Sequence, residues 1–220
     1  MSDVVESTAQ LRILTEEKAL AGKTFRDLVA ARVGLADADL DSVTLERVGW
    51  VDGNLEGARL EHARLRQVDL TRARLTNGLM HRVNARDCDF TELDLSGTEI
   101  RRCELGPLRA PKSIFAGAKI QETTFRAMEL YGAVFRGAVI LRSTFAEYGT
   151  GTASLTRAVF AESVLIEVDL REANLYGADL SRALLIRCDL RAANLASAKL
   201  VGARMIDCRT DGADMSDAVI

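Results

Sequence analysis

The sequence predicts a repeat solenoid, and two observations predict it. First, every fifth residue from Leu35 to Ile220 suits burial: of these 38 positions, 34 are Leu, Ile, Met, Phe or Trp, the exceptions being Ala85, Ala110, Thr150 and Thr210. All seven Phe and the single Trp50 sit on this beat. Second, a period of five belongs to neither an amphipathic helix nor a lone strand. A fixed period means one structural unit stacked on copies of itself. Such stacks are quasi-one-dimensional and present long flat faces rather than clefts.

With the beat residue as i, position i−2 is usually small, most often Ala, and positions i−1, i+1 and i+2 are mostly polar. Ala173-Asn174-Leu175-Tyr176-Gly177 and Ala178-Asp179-Leu180-Ser181-Arg182 show the unit cleanly. This resembles the pentapeptide-repeat family, whose units read A-(D/N)-L-x-x. The resemblance implies an all-β fold, a right-handed quadrilateral parallel β-helix with four units per coil. The chain carries its own test of four. At a lag of twenty, the i−2 column 38, 58, 78 through 218 holds Ala at all but two sites. The column 48, 68, 88 through 208 holds no Ala at all. Phe115 then falls over Phe135, and Phe125 over Phe145, on opposite faces. The beat amounts to about 9.5 coils, a rod about 45 Å long at the usual spacing of paired strands.

In chain order, residues 1–24 form an N-terminal cap and residues 25–220 the β-helix. Within the cap, 15–22 reads as a short helix. Thr15 would cap it, acids lie in its first turn, and Gly22 closes it. It would cover the first coil, whose open edge invites pairing. Two places break the pattern: Gly106-Pro107 with Pro111, since proline removes a ladder donor, and Gly149-Thr150-Gly151. Both read as local bulges. The beat runs to Ile220, so the last coil is expected to be covered by a second molecule, giving a homodimer through the C-terminal coils.

Composition narrows the function. Acids and bases nearly cancel, at 32 against 29 and a net charge of −3, which points neither to nucleic acid nor to a strongly acidic mimic. No apolar run is long enough to span a membrane. The N-terminus has acids where a signal peptide needs bases, so a cytoplasmic location is expected. Cys88, Cys103, Cys188 and Cys208 all occupy i−2, facing inward, without the close pairing of zinc sites. Stacked Cys188 and Cys208 fall within disulfide reach, but their side chains point the same way, so four buried free thiols are expected. Asp at i−1 alternates with Asn, which marks backbone hydrogen bonding rather than ionisation. His62 and His81 face outward without a third ligand or a nucleophile. No catalytic site, metal or cofactor is expected, and a core filled by Leu and Phe leaves no substrate cavity.

What remains is the outer surface. At a lag of twenty, the face on 50, 70, 90 through 210 is acidic, with Asp52, Asp69, Asp89, Glu92, Asp169, Glu172 and Asp189. Arg64, Arg66, Arg82, Arg86, Arg101 and Arg102 gather at one corner, interleaved with acids. Val164, Ile166, Leu184, Ile186 and Ile206 project outward as an apolar strip over the last three coils, a partner or dimer interface together with Ile220. The resemblance implies a partner. Some members of the family look like DNA in width and charge, bind DNA gyrase or topoisomerase, and protect it against inhibitors. The alternative is a scaffold or adaptor that binds another protein through the strip.

Overall fold

The computed structural model describes residues 4–146 and 153–220. The chain winds into a right-handed parallel β-solenoid of about ten turns. All four faces carry sheets or rows of short parallel bridges, and each strand pairs with the strand one coil later. A seven-stranded sheet runs from Val4–Val5 to Thr124–Phe125 on one face, and an eight-stranded sheet from Arg59–Glu61 to Arg204–Ile206 on another. A three-stranded sheet (Cys88–Asp89, Leu108–Arg109, Met128–Glu129) and isolated parallel bridges complete the square. Beat and i−2 side chains point inward, and up to Leu200 nearly all of them are buried in one continuous cluster.

The pentapeptide unit follows from its hydrogen bonds. The peptide groups of each coil bond to the next, as in Leu35 N–H to the Asn54 carbonyl at 2.6 Å, so the backbone is satisfied without helix or hairpin. At many corners the beat carbonyl also accepts the N–H three residues on, as Leu70 does from Ala73 at 3.0 Å. Turning there puts residue i+2 in the left-handed region. Its φ lies between +41° and +72° at every described corner except that of Pro107. Few of these positions are Gly, although non-glycine residues resist this conformation by about 1–2 kcal/mol. Stacked coils on both sides hold them there. Asp and Asn at i−1 brace the same turn from the other side. The Asp69 carboxylate accepts the Thr71 N–H at 2.9 Å, and the Asn194 carbonyl accepts the Ala196 N–H at 3.0 Å in the same way.

Two expectations need correction. The cap helix spans Thr8–Glu16 rather than 15–22, with Ser7 as its N-cap accepting the Gln10 N–H. Thr15 instead donates back to the Leu11 carbonyl in the last turn at 2.8 Å, and Lys18 at φ +54° turns the chain away. The chain also enters the coil stack before the helix. Val4 and Val5 pair with Thr24 and Phe25, and Leu11 and Leu14 join the solenoid core.

The second correction is larger. Coils take twenty residues up to Thr124↔Thr144, but Glu129 pairs with Ser154, Val139 with Val164 and Thr144 with Asp169, twenty-five apart. The corner at Phe145 shows where the extra unit enters. Its carbonyl accepts the N–H of Ala153, eight residues on, instead of the third residue on. The irregular stretch Gly149-Thr150-Gly151 lies outside the described residues. Because the insertion equals one repeat, the period of five passes through it unbroken.

Candidate functional site

The rod offers the outside of its faces. Inside, the side chains close on one another: Phe115 stacks on Phe135 at 4.6 Å and Phe125 on Phe145 at 4.5 Å, on opposite faces, with edge-on contacts between the two stacks. Cys88, Cys103 and Cys188 are buried among them, and burial pushes each thiol up to about 11. Cys208 departs from the expectation of burial. It lies in the last described coil, where inward residues such as Met205 and Met215 are only partly covered. Among the described residues, no group of acids, His and Cys could hold a metal. His62 and His81 are neighbours, 5.9 Å between ring centroids, each facing a carboxylate (Asp41 at 3.1 Å, Glu61 at 3.5 Å). No described helix is long and apolar enough to cross a membrane.

The change of register splits the expected acidic face. Asp69 and Asp89 continue through Arg109, Glu129, Ser154 and Asn174. Asp169 and Asp189 instead lie in the column of Thr144, Thr124, Glu104 and Arg64. Asp169, Glu172 and Asp189 therefore do not share a face with Asp52, Asp69, Asp89 and Glu92. Basic side chains also neutralise both groups. Arg72 meets Asp52 at 2.7 Å, Arg109 meets Asp89 at 3.4 Å, Lys112 meets Glu92 at 4.0 Å, and Arg191 meets Asp189 at 2.6 Å. Acid and base alternate up the corners, as in Arg102–Glu122–Arg142 at 2.8 and 3.0 Å. Exposed pairs of this kind stabilise little, roughly 0–1 kcal/mol each, but they leave no continuous negative stripe.

The basic corner forms between the seven- and eight-stranded sheets. Arg86, Arg101 and Arg102 are engaged by Glu104, Glu99 and Glu122 at 3.9, 2.7 and 2.8 Å. Arg64, Arg66 and Arg82 are exposed. The result is a mixed lattice rather than a pure cationic patch.

The apolar strip is assembled, and it is longer than the sequence indicates. Val164 pairs with Leu184, and Ile166 with Ile186 and Ile206, in the register of the eight-stranded sheet. The longer coil then brings Val139 beside Val164 and Leu141 beside Ile166. Seven apolar side chains thus cover one face over four successive rungs, all at least partly exposed, with Arg204 the one charge among them. A lag of twenty hides Val139 and Leu141, because it puts Thr144 and Ala146 in their place. The Phe115, Phe135, Phe160 series carries the signal that would have found them. Ile220 is exposed at the end of a different face, following the Lys199↔Val219 bridge, and does not join the strip.

A square solenoid of five-residue units defines a class of repeat protein. The pentapeptide-repeat profile matches residues 38–77, 54–91, 69–106, 153–191 and 188–219, and the chain belongs to that family. The unmatched middle contains both the Pro107 corner and the inserted unit. No curated protein matches the sequence significantly. Among solved structures, the chain is similar to HetL, a pentapeptide-repeat protein involved in heterocyst differentiation regulation from the cyanobacterium Nostoc sp. strain PCC 7120. The TM-score is 0.57 at 19% identity, over 97% of this chain and 94% of that one. It is also similar to QnrB1, a plasmid-mediated fluoroquinolone resistance protein, with a TM-score of 0.49 at 16% identity over 87% and 93%. At 19% identity the likeness to HetL concerns the fold alone.

Proposed function

We propose that this chain acts without catalysis, as a rigid rod that binds protein through the apolar strip of Val139, Leu141, Val164, Ile166, Leu184, Ile186 and Ile206. The strip is the observation that carries the reading. Contiguous exposed apolar surface of this kind marks an interaction site, and the backbone beneath it is locked rung to rung, so the surface is preformed. Co-purification from the native host tests it. Tagged wild type and the control Val29→Lys should retain a stoichiometric protein, either an untagged copy or another chain, that Ile186→Lys loses. Equal recovery by all three contradicts the reading.

The narrower reading makes DNA gyrase or topoisomerase the partner, met by a rod that imitates DNA. One observation supports it: the chain accommodates an extra unit between Phe145 and Ala153, so its register is not the unbroken one that leaves no room for a loop. The split, arginine-paired acids weigh against mimicry. Gyrase supercoiling in the presence of a quinolone decides: protection by stoichiometric protein supports this partner, and unchanged inhibition removes it.

A further inference from the structure

We infer that the occupant of the strip is a second copy of this chain, lying face to face with its rod antiparallel to the first. The inference rests on the strip being a protein-binding surface and adds both the partner and its register.

The observation is the order of charges along the two corners that border the strip. The corner that follows the strands carries, rung by rung, Arg142, Glu167, Arg187 and Asp207. The corner that precedes them carries Gly137, Glu162, Arg182 and Gly202. All eight are exposed and hold the left-handed corner conformation, so their side chains leave from equivalent points of successive coils. A two-fold axis along the strand direction, midway between the second and third rungs, turns one rod antiparallel and brings each corner onto its own copy in reverse order. Arg142 then meets Asp207 of the second copy, Glu167 meets Arg187, and Glu162 meets Arg182. Every pair is of opposite sign. Between them Ile166 faces Ile186, Val164 faces Leu184, and Leu141 faces Ile206. Arg204 meets Val139, where its long stem can lie along the apolar surface with its head at the margin.

A slip of two rungs keeps opposite charges together but sets Lys119 and Gln121 against Leu184 and Ile186; slips of one rung and a parallel dimer fail the charge test. A slip of one rung in one direction sets Glu167 against Glu167 and Arg142 against Arg187. A slip in the other direction sets Arg187 against Arg187 and Glu167 against Asp207. A parallel dimer brings unlike corners together and sets Glu167 against Glu162 and Arg187 against Arg182. Like charges face each other in all three. The central charges already pair within the chain, Arg187 with Glu167 at 2.8 Å. The second copy therefore completes a ring of four alternating charges and fixes register more than it adds affinity. Such a two-fold contact is isologous and closes at two copies. Four short rungs fall below the roughly 800 Å² per partner of a standard stable interface, so the dimer is weak and depends on concentration.

Sedimentation equilibrium over about 1–500 µM tests this, with chain folding checked by circular dichroism. Arg142→Glu and Asp207→Arg should each weaken dimerisation roughly fivefold, and the double variant should return to near wild type. Within one chain these positions stand three rungs apart, about 14 Å, beyond a Debye length in ordinary buffer. Their coupling therefore reports the contact between copies. Ile186→Lys should abolish the dimer. A dimer whose two charge effects simply multiply overturns the antiparallel register, as an end-on contact through the last coil would. A wild type monomeric throughout the range overturns the second copy as occupant. If Ile186→Lys still loses a foreign protein in co-purification, the protein-binding strip stands without it.

Discussion

Phe160 lies flat on Phe135, ring centroids 4.7 Å apart and planes 2° from parallel, although twenty-five residues separate them and the earlier pair in this stack, Phe115 and Phe135, is twenty apart. The contact shows how the chain absorbs an extra unit. A five-residue insertion returns the beat to an inward position, one face further round, and the aromatic column continues. The outer surface is what changes, because every residue after the insertion is carried to a new face.

Phe135 sits between Phe115 and Phe160 and meets Phe125 and Phe145 edge-on. Phe135→Ala is expected to lower unfolding stability by about 3–5 kcal/mol, through lost burial plus a cavity that stacked coils cannot collapse. Chemical denaturation checks it. A loss under about 1 kcal/mol would mean the two stacks are not the packed centre of the rod.

Gly106 stands at the corner where Pro107 replaces the usual left-handed residue. Its φ is +120°, and a Cβ there would come 1.8 Å from the Arg126 carbonyl oxygen of the next coil. Gly106→Ala is expected to destabilise strongly, whereas Gly137→Ala, with open space around its φ of +64°, should cost only about 1–2 kcal/mol. Comparing the melting temperatures of the two variants tests the difference. Equal shifts would contradict this corner geometry.

The thiols separate by place rather than by type. Native protein at low concentration should react at Cys208 with a small thiol reagent. Cys88, Cys103 and Cys188, buried and with their thiols held protonated, should react only after unfolding. Mass spectrometry of the labelled peptides reads the order, and early labelling of Cys103 would mean that the coils open locally.

Acid should destabilise the rod through its paired carboxylates. The Arg191 guanidinium beside Asp189 holds that carboxyl below its ordinary range, with the Arg191 backbone N–H adding to it. Arg72 acts likewise on Asp52, and Arg102 on Glu122. A depressed folded value means the contribution is full above the unfolded value near 4 and fades as pH falls through the folded one. Asp189→Asn, which can still accept the Arg191 N–H, should be less stable than wild type at pH 7 and converge with it in acid. A gap that persists below about pH 2 would contradict the ion-pair cause.

The inward half of the molecule was legible in the sequence because burial repeats with the unit: the beat, the small i−2 residues and the Phe stacks all follow from it. The Asx turns were legible too, since Asn replaces Asp freely at sites such as Asn54 and Asn194. Hidden were the features that a period of five does not register. The left-handed i+2 corner carries Arg, Asp, Glu, Ser and Gly alike, because coil stacking rather than residue type imposes it. The inserted unit matches the period, so a lag of twenty carries the acidic residues beyond Phe145 to the wrong face and omits Val139 and Leu141 from the strip. The start of the cap helix is hidden because Ser7, its N-cap, precedes a stretch with no acid in the first turn.

The use of the strip can be read directly by hydroxyl-radical footprinting of the protein as isolated from its native host, compared with the same protein purified alone and diluted. The expected result is protection of Val139, Leu141, Ile166, Leu184 and Ile186 in the isolated assembly, with Val29 and Tyr176 oxidised equally in both. Equal oxidation of the strip in the two samples, with protection on another face, would contradict a rod that works through this surface.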